Sequence, residues 1–200
     1  MASVVKLHVP PPALPMRALS PAERRVRVGS LWLKHLFSLL FAASAIVMAV
    51  GIAAMLFYDG DMLRMGPSGT YVGGGPADTV AFGSLPIDQR LIYVLVGLVR
   101  YAPVAMLFRS LRALFGGYAE GRVFTREAGR TLGQVGIWLC AYALTPLLCH
   151  LALSATGYEI DRQWLHLASV QAFVLGLLVF VIGQVMQVGH EISEDREGFV

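Results

Sequence analysis

Charge is scarce in this chain. Only 14% of its 200 residues are Asp, Glu, Lys or Arg, while 56% are hydrophobic and the mean hydropathy is +0.63. Ordinary soluble domains carry about 25% charged residues, so this composition excludes the soluble class and indicates a membrane protein. Carboxylates are scarcer still where it matters. None falls within the uncharged runs His35 to Tyr58, Thr131 to Tyr158 and Gln163 to Gly189. A catalytic acid–base pair or a proton-coupled cation path needs such a group inside the membrane. Cysteine is nearly absent: Cys140 and Cys149 stand nine residues apart on one span. That spacing puts them about 13 Å apart along a helix axis, beyond the roughly 7 Å limit for a disulfide. Without a C-x-x-C pair the chain does not read as a thiol oxidoreductase. The first thirty residues also lack a short apolar core followed by a small-residue cleavage site, so no signal cleavage is expected.

What remains is long apolar segments. Each of the three runs exceeds the roughly 30 Å hydrocarbon thickness at about 1.5 Å per residue. A fourth segment, Leu91 to Phe108, is interrupted by Arg100 and followed through Pro103, and counting it gives an even number of crossings. The expected architecture is therefore all-α with four transmembrane helices, at about 35–58, 91–108, 131–156 and 164–188. Residues 1–30 form a Pro-rich leader, and residues 31–200 form the membrane domain. Lys and Arg fix the orientation, because positive loops stay in the cytoplasm. Six lie in the leader side, five in the central loop and one in the tail, against Arg64, Arg90 and Arg162 on the other side. Both termini are thus expected in the cytoplasm, in the plasma membrane. The sequence pI near 9.1 reflects this topology. No nucleic-acid partner is expected, since a basic recognition face needs a soluble domain to display it.

The loops differ in character. "VPPPALP", Val9 to Pro15, favours polyproline II and reads as a linker. The extracytoplasmic loop Asp59 to Arg90 is glycine-rich and should hold turns and a strand pair around "TYV" and "TVAF". Its "DGDMLRM" offers Asp59 and Asp61 as hard ligands or Met62 and Met65 as soft ones, but neither pair completes a metal site. In the central loop, "GGYAEGRVFT" reads as a helix-to-helix connector. Gly116 and Gly117 are expected to stop one helix, Gly121 to allow the turn, and Thr125 to cap the next helix, with Glu127 in its first turn.

The stretch "LFRSLRALFGGYAEGRVFTREAGRTLGQVG", followed by a helical pair and the acidic "EISEDREGFV", resembles the bacterial membrane family catalogued as domain of unknown function 2975. The matching residues are Gly121, Phe124 and Thr125 in the turn, the flanking Arg112, and the Gly133 to Gly136 region. The likeness runs from Trp32 onward. It implies four helices with cytoplasmic ends and carries no activity with it.

Candidate sites follow from single residues. Arg100 costs about 2.5–3.5 kcal/mol near mid-membrane on insertion scales, and marks either an anion or lipid-headgroup site or a snorkelling side chain. Val99, whose carbonyl Pro103 frees, and Tyr142, Ser154 and Gln171 are its possible partners. His150 and His166 fall at matching depths about a turn centred near Tyr158, as do His35 and His190 at the other end, a weak pattern for haem. Interfacial anchoring is the plainer reading, and no cofactor or metal is expected. Small residues at Ala45, Ala49 and Ala53, at Gly129 and Gly133, and at Gly176 and Gly183 promise close helix packing, within one chain or in a homo-oligomer. Gln171, Gln184 and Gln187 could add hydrogen bonds between helices. Finally, Glu191, Glu194, Asp195 and Glu197 could dock on Arg122, Arg126 and Arg130.

These features favour a non-enzymatic accessory or regulatory membrane protein with a membrane or cytoplasmic protein as partner. A small oligomeric transporter or channel for an anionic solute is the alternative, and a haem-binding electron-transfer protein is the third reading.

Overall fold

The computed structural model describes residues 20–66, 69–74, 79–154 and 166–197. The "VPPPALP" leader and the hairpin turn near Tyr158 lie outside the described residues. Four helices, each long and apolar enough to cross a membrane, make up almost all of the rest: α1 Pro21–Phe57, α2 Ile87–Ala119, α3 Arg126–Ser154 and α4 Leu167–Glu197.

Each helix outlasts its apolar run. At about 1.5 Å per residue even the shortest, α3, is over 40 Å long, against a hydrocarbon layer of roughly 30 Å. The first helix shows why. The Ser20 hydroxyl accepts a hydrogen bond from the Glu23 amide, the Glu23 carboxylate accepts one from the Ser20 amide, and Pro21 occupies the first helical position. This capping box satisfies two amides that would otherwise lack partners and starts the helix well before the apolar run at His35. The signal, "SPAE", is local and polar, so a search for apolar runs passes over it.

Three of the helix contacts are extensive: α1 with α2, α2 with α3, and, largest, α3 with α4. Other helix pairs barely touch. The helices therefore form an open row in chain order rather than a closed bundle. The α3–α4 contact is made by glycines. A Cβ added at Gly136 would sit 2.5 Å from the Phe180 amide nitrogen, and one at Gly183 would sit 2.5 Å from that of Gly133. Gly129 and Gly176 are somewhat less tight, their added Cβ atoms falling 3.0 and 2.9 Å from the carbonyl oxygens of Gly183 and Gly136 respectively. The backbones thus meet directly, which is how membrane helices gain dispersion contact without a hydrophobic driving force. The α1–α2 seam uses rings instead. Phe37 stacks on Phe115 at 5.6 Å and tilts against Phe108 at 6.3 Å, while Ser44 and Tyr101 share a hydrogen bond of 3.1 Å. The alanine stripe on α1 is not part of that seam, for Ala49 and Ala53 are exposed.

Between α1 and α2 lies a small antiparallel sheet of β1 Leu63–Gly66, β2 Gly69–Val72 and β3 Val80–Ala81, ordered β2-β1-β3. The expected pairing of "TYV" with "TVAF" is corrected: both pair with "LRMG" at the centre, Arg64 facing Tyr71 on one side and Ala81 on the other. The charged Arg64 hid that central strand from a reading based on apolar alternation. Arg64 instead donates through Nε and Nη2 to the hydroxyl and carbonyl of buried Thr79.

Candidate functional site

The α2–α3 turn, the start of α1 and the end of α4 come together at one end of the row. Gly116 and Gly117 do not end α2, which continues to Ala119. The stop comes at Gly121, whose φ of +86° is the left-handed conformation that side chains resist. The Gly121 amide donates to the Tyr118 carbonyl and the Arg122 amide to that of Gly117, at 3.0 and 2.9 Å. This paired pattern is a Schellman motif and closes the carbonyl end of α2. A helix is not stopped by glycine as such but by a glycine placed where the chain must reverse, and two consecutive helical glycines gave no such constraint.

Three residues on, Thr125 caps α3, its Oγ1 accepting from the Ala128 amide at 3.2 Å. Arg122 bridges the gap between the two helices, reaching Glu120 at the end of α2 and Glu127 at the start of α3. The Glu120 hydrogen bond, and then the charges of both carboxylates, hold its guanidinium above the ordinary arginine range. The turn is thus fixed at both helix ends and across its middle, and Phe124, held by this frame, remains 83% exposed.

Beside Phe124 runs a groove of about 520 Å³ between the turn and the early part of α1. Val26, Val123 and Tyr118 supply apolar wall, and Glu23 and Arg27 supply charge. Arg27 lies against Gly121, since a Cβ there would come 2.8 Å from its Nη2. Burial raises the Tyr118 phenol above its usual range, keeping it neutral and able to donate a hydrogen bond.

The remaining candidates are placed as follows. Arg126 forms an ion pair of 3.3 Å with Glu191, joining the start of α3 to α4. Arg122 is committed to Glu120 and Glu127, and Arg130 is exposed on α3. The side chains of Glu194, Asp195 and Glu197 lie outside the described residues, although α4 continues as helix through Glu197. Arg100 is exposed on α2, and Cys149 is buried on α3. His150 is half-buried within α3, while His166 is exposed just before α4, where its carbonyl accepts from the Ser169 amide at 2.9 Å.

One constellation escaped the sequence reading altogether. Arg90, 8% exposed, donates to the carbonyls of Leu85, Gly83 and Leu56 and to Asp59 Oδ1 at 2.9 Å. It ties the end of α1, the 3-10 turn Phe82–Ser84 and the start of α2 into one knot around fully buried Phe82. Asp59 is therefore a partner of Arg90. Met65, one of the two methionines considered for a metal, accepts from the Thr70 hydroxyl through Sδ at 3.7 Å.

Comparison with curated proteins and with solved structures returns no match. A family model does match, over residues 80–198, beginning later than the likeness from Trp32 suggested and enclosing the whole Gly121 to Thr125 turn. The chain belongs to the family described as protein of unknown function DUF2975.

Proposed function

We propose that this protein is a non-enzymatic accessory or regulatory component of the plasma membrane that engages a protein partner through the α2–α3 turn. Both termini and the turn face the cytoplasm, where the excess of Lys and Arg places them. The reading rests on Phe124. A large apolar side chain held 83% exposed on a rigidly capped turn, beside a groove of about 520 Å³, has the form of a recognition anchor. The groove fits a segment that offers an apolar side chain to Val26 and Val123 and an acidic one to Arg27. An absence of carboxylates from the membrane runs argues against catalysis there. Anion passage past Arg100 would need walls from a second copy, because the residue is exposed and the helices stand in an open row.

A photo-crosslinking residue in place of Phe124 tests the proposal in cells. The expected result is one discrete protein adduct, lost when Arg27→Glu is added and retained with Arg130→Glu. Adducts to lipid alone, or an adduct indifferent to Arg27→Glu, would remove the turn as a docking site.

A further inference from the structure

A second groove, of about 370 Å³, opens between α2 and α3 one to two turns deeper than the connector. That volume falls in the range of about 300–1,000 Å³ seen for small-ligand clefts. Four of its lining side chains can donate hydrogen bonds: Arg109 and Ser110 from α2, Gln134 and Trp138 from α3. Among the described residues none of the four has a hydrogen-bond, ion-pair or ring partner. Ser110 is only 7% exposed, while Arg109 and Gln134 are exposed along the groove. Four donors gathered at one groove without a partner from the chain suit an acceptor supplied from outside.

Depth identifies the acceptor. Arg109 lies 22 residues beyond the start of α2 at Ile87, and Gln134 lies 20 residues before the end of α3 at Ser154. Both distances correspond to roughly 30 Å of helix, the thickness of the hydrocarbon layer. The two polar groups therefore sit at the same membrane boundary, with Trp138 one turn inside it, the depth at which indole rings anchor. Met106 and Ile137 line the groove on its apolar side. Among its described lining residues none is a carboxylate and one is an arginine, which suits an anion.

We infer that this groove binds the phosphodiester of an anionic phospholipid, with Arg109, Ser110 and Gln134 donating to the phosphate oxygens and Trp138, Met106 and Ile137 packing on the upper acyl chain. Arginine is suited to the phosphate because its planar fork donates two bonds with charge assistance. The site does not depend on the partner surface at Phe124 and involves none of its residues.

Native mass spectrometry of the delipidated full chain in mild detergent, titrated with phosphatidylglycerol, phosphatidylcholine or inorganic phosphate, tests it. Wild-type protein should hold one phosphatidylglycerol in preference to phosphatidylcholine, and millimolar phosphate should not displace it. Loss of one charge-assisted bond should weaken that adduct about tenfold in Arg109→Gln. The milder Ser110→Ala should weaken it several-fold with unchanged helical circular dichroism. Arg112→Gln, which removes the same charge one turn away and outside the groove, should leave it intact. Equal weakening by Arg109→Gln and Arg112→Gln would reduce the site to a diffuse basic surface and overturn the inference. Displacement by phosphate would assign the site to the free anion and overturn the lipid.

Discussion

Arg90 carries more of the structure of the α1–α2 connection than any other side chain described. Its guanidinium meets three carbonyls and one carboxylate while almost wholly buried, whereas the Asp59 side chain it pairs with is 78% exposed. The partners are therefore unequal. Leu56 is among the last residues of α1, so Arg90 also places positive charge at the negative end of that helix's dipole. Replacing it with methionine strands three carbonyls at once, and Arg90→Met should lower stability by about 3 kcal/mol or more. Asp59→Asn leaves the carbonyl contacts in place and, given the exposure of the carboxylate, should cost under about 1 kcal/mol. Thermal unfolding of both variants in detergent, followed by size-exclusion fluorescence, checks the order. Equal losses would mean that the ion pair, not the carbonyl cage, holds the segment.

At the scale of elements the glycines divide into two kinds. Gly136 faces the backbone of α4 at contact distance, while Gly97 on α2 has nothing within 4 Å. Gly136→Ala should destabilise by about 1–3 kcal/mol as α3 and α4 are forced apart. Gly97→Ala should be neutral or raise stability by up to about 1 kcal/mol, from helix propensity alone. A melting comparison of the two separates packing from propensity, and parity between them would refute the glycine interface. The contrast also shows what could be read from sequence. Four apolar helices, the Thr125 cap and the glycine spacings on α3 and α4 were legible because each depends on near neighbours or on a repeat. The early start of α1 was missed because its capping box is polar, and the central strand because Arg64 interrupts its alternation. The Arg90 cage was not legible at all: its partners stand up to 34 residues away and are mostly carbonyls, which every residue possesses. The lipid groove has the same origin, for Arg109 and Gln134 become neighbours only once α2 and α3 turn back on one another.

For the whole molecule, the open row places unequal charge at its two ends. At the end holding the α2–α3 turn, Arg24, Arg25, Arg112 and Arg130 are exposed. At the opposite end the two described arginines, Arg64 and Arg90, are taken up by Thr79 and by the α1–α2 knot. The asymmetry in cations available to a membrane surface is thus sharper than the count of Lys and Arg suggests. Positive segments resist transfer across the membrane, so the turn end should be the cytoplasmic one. In a chain carrying Cys140→Ala and Cys149→Ala, an impermeant maleimide applied to intact cells should label Gly74→Cys at once. It should reach Val28→Cys, at a position 48% exposed beyond the apolar part of α1, only after permeabilisation. The reverse pattern would put Phe124 outside the cell and remove the cytoplasmic partner. Neutralising Arg24 and Arg25 should leave the orientation unchanged, because Arg109, Arg112, Arg126 and Arg130 on two other helices still hold the same end in place.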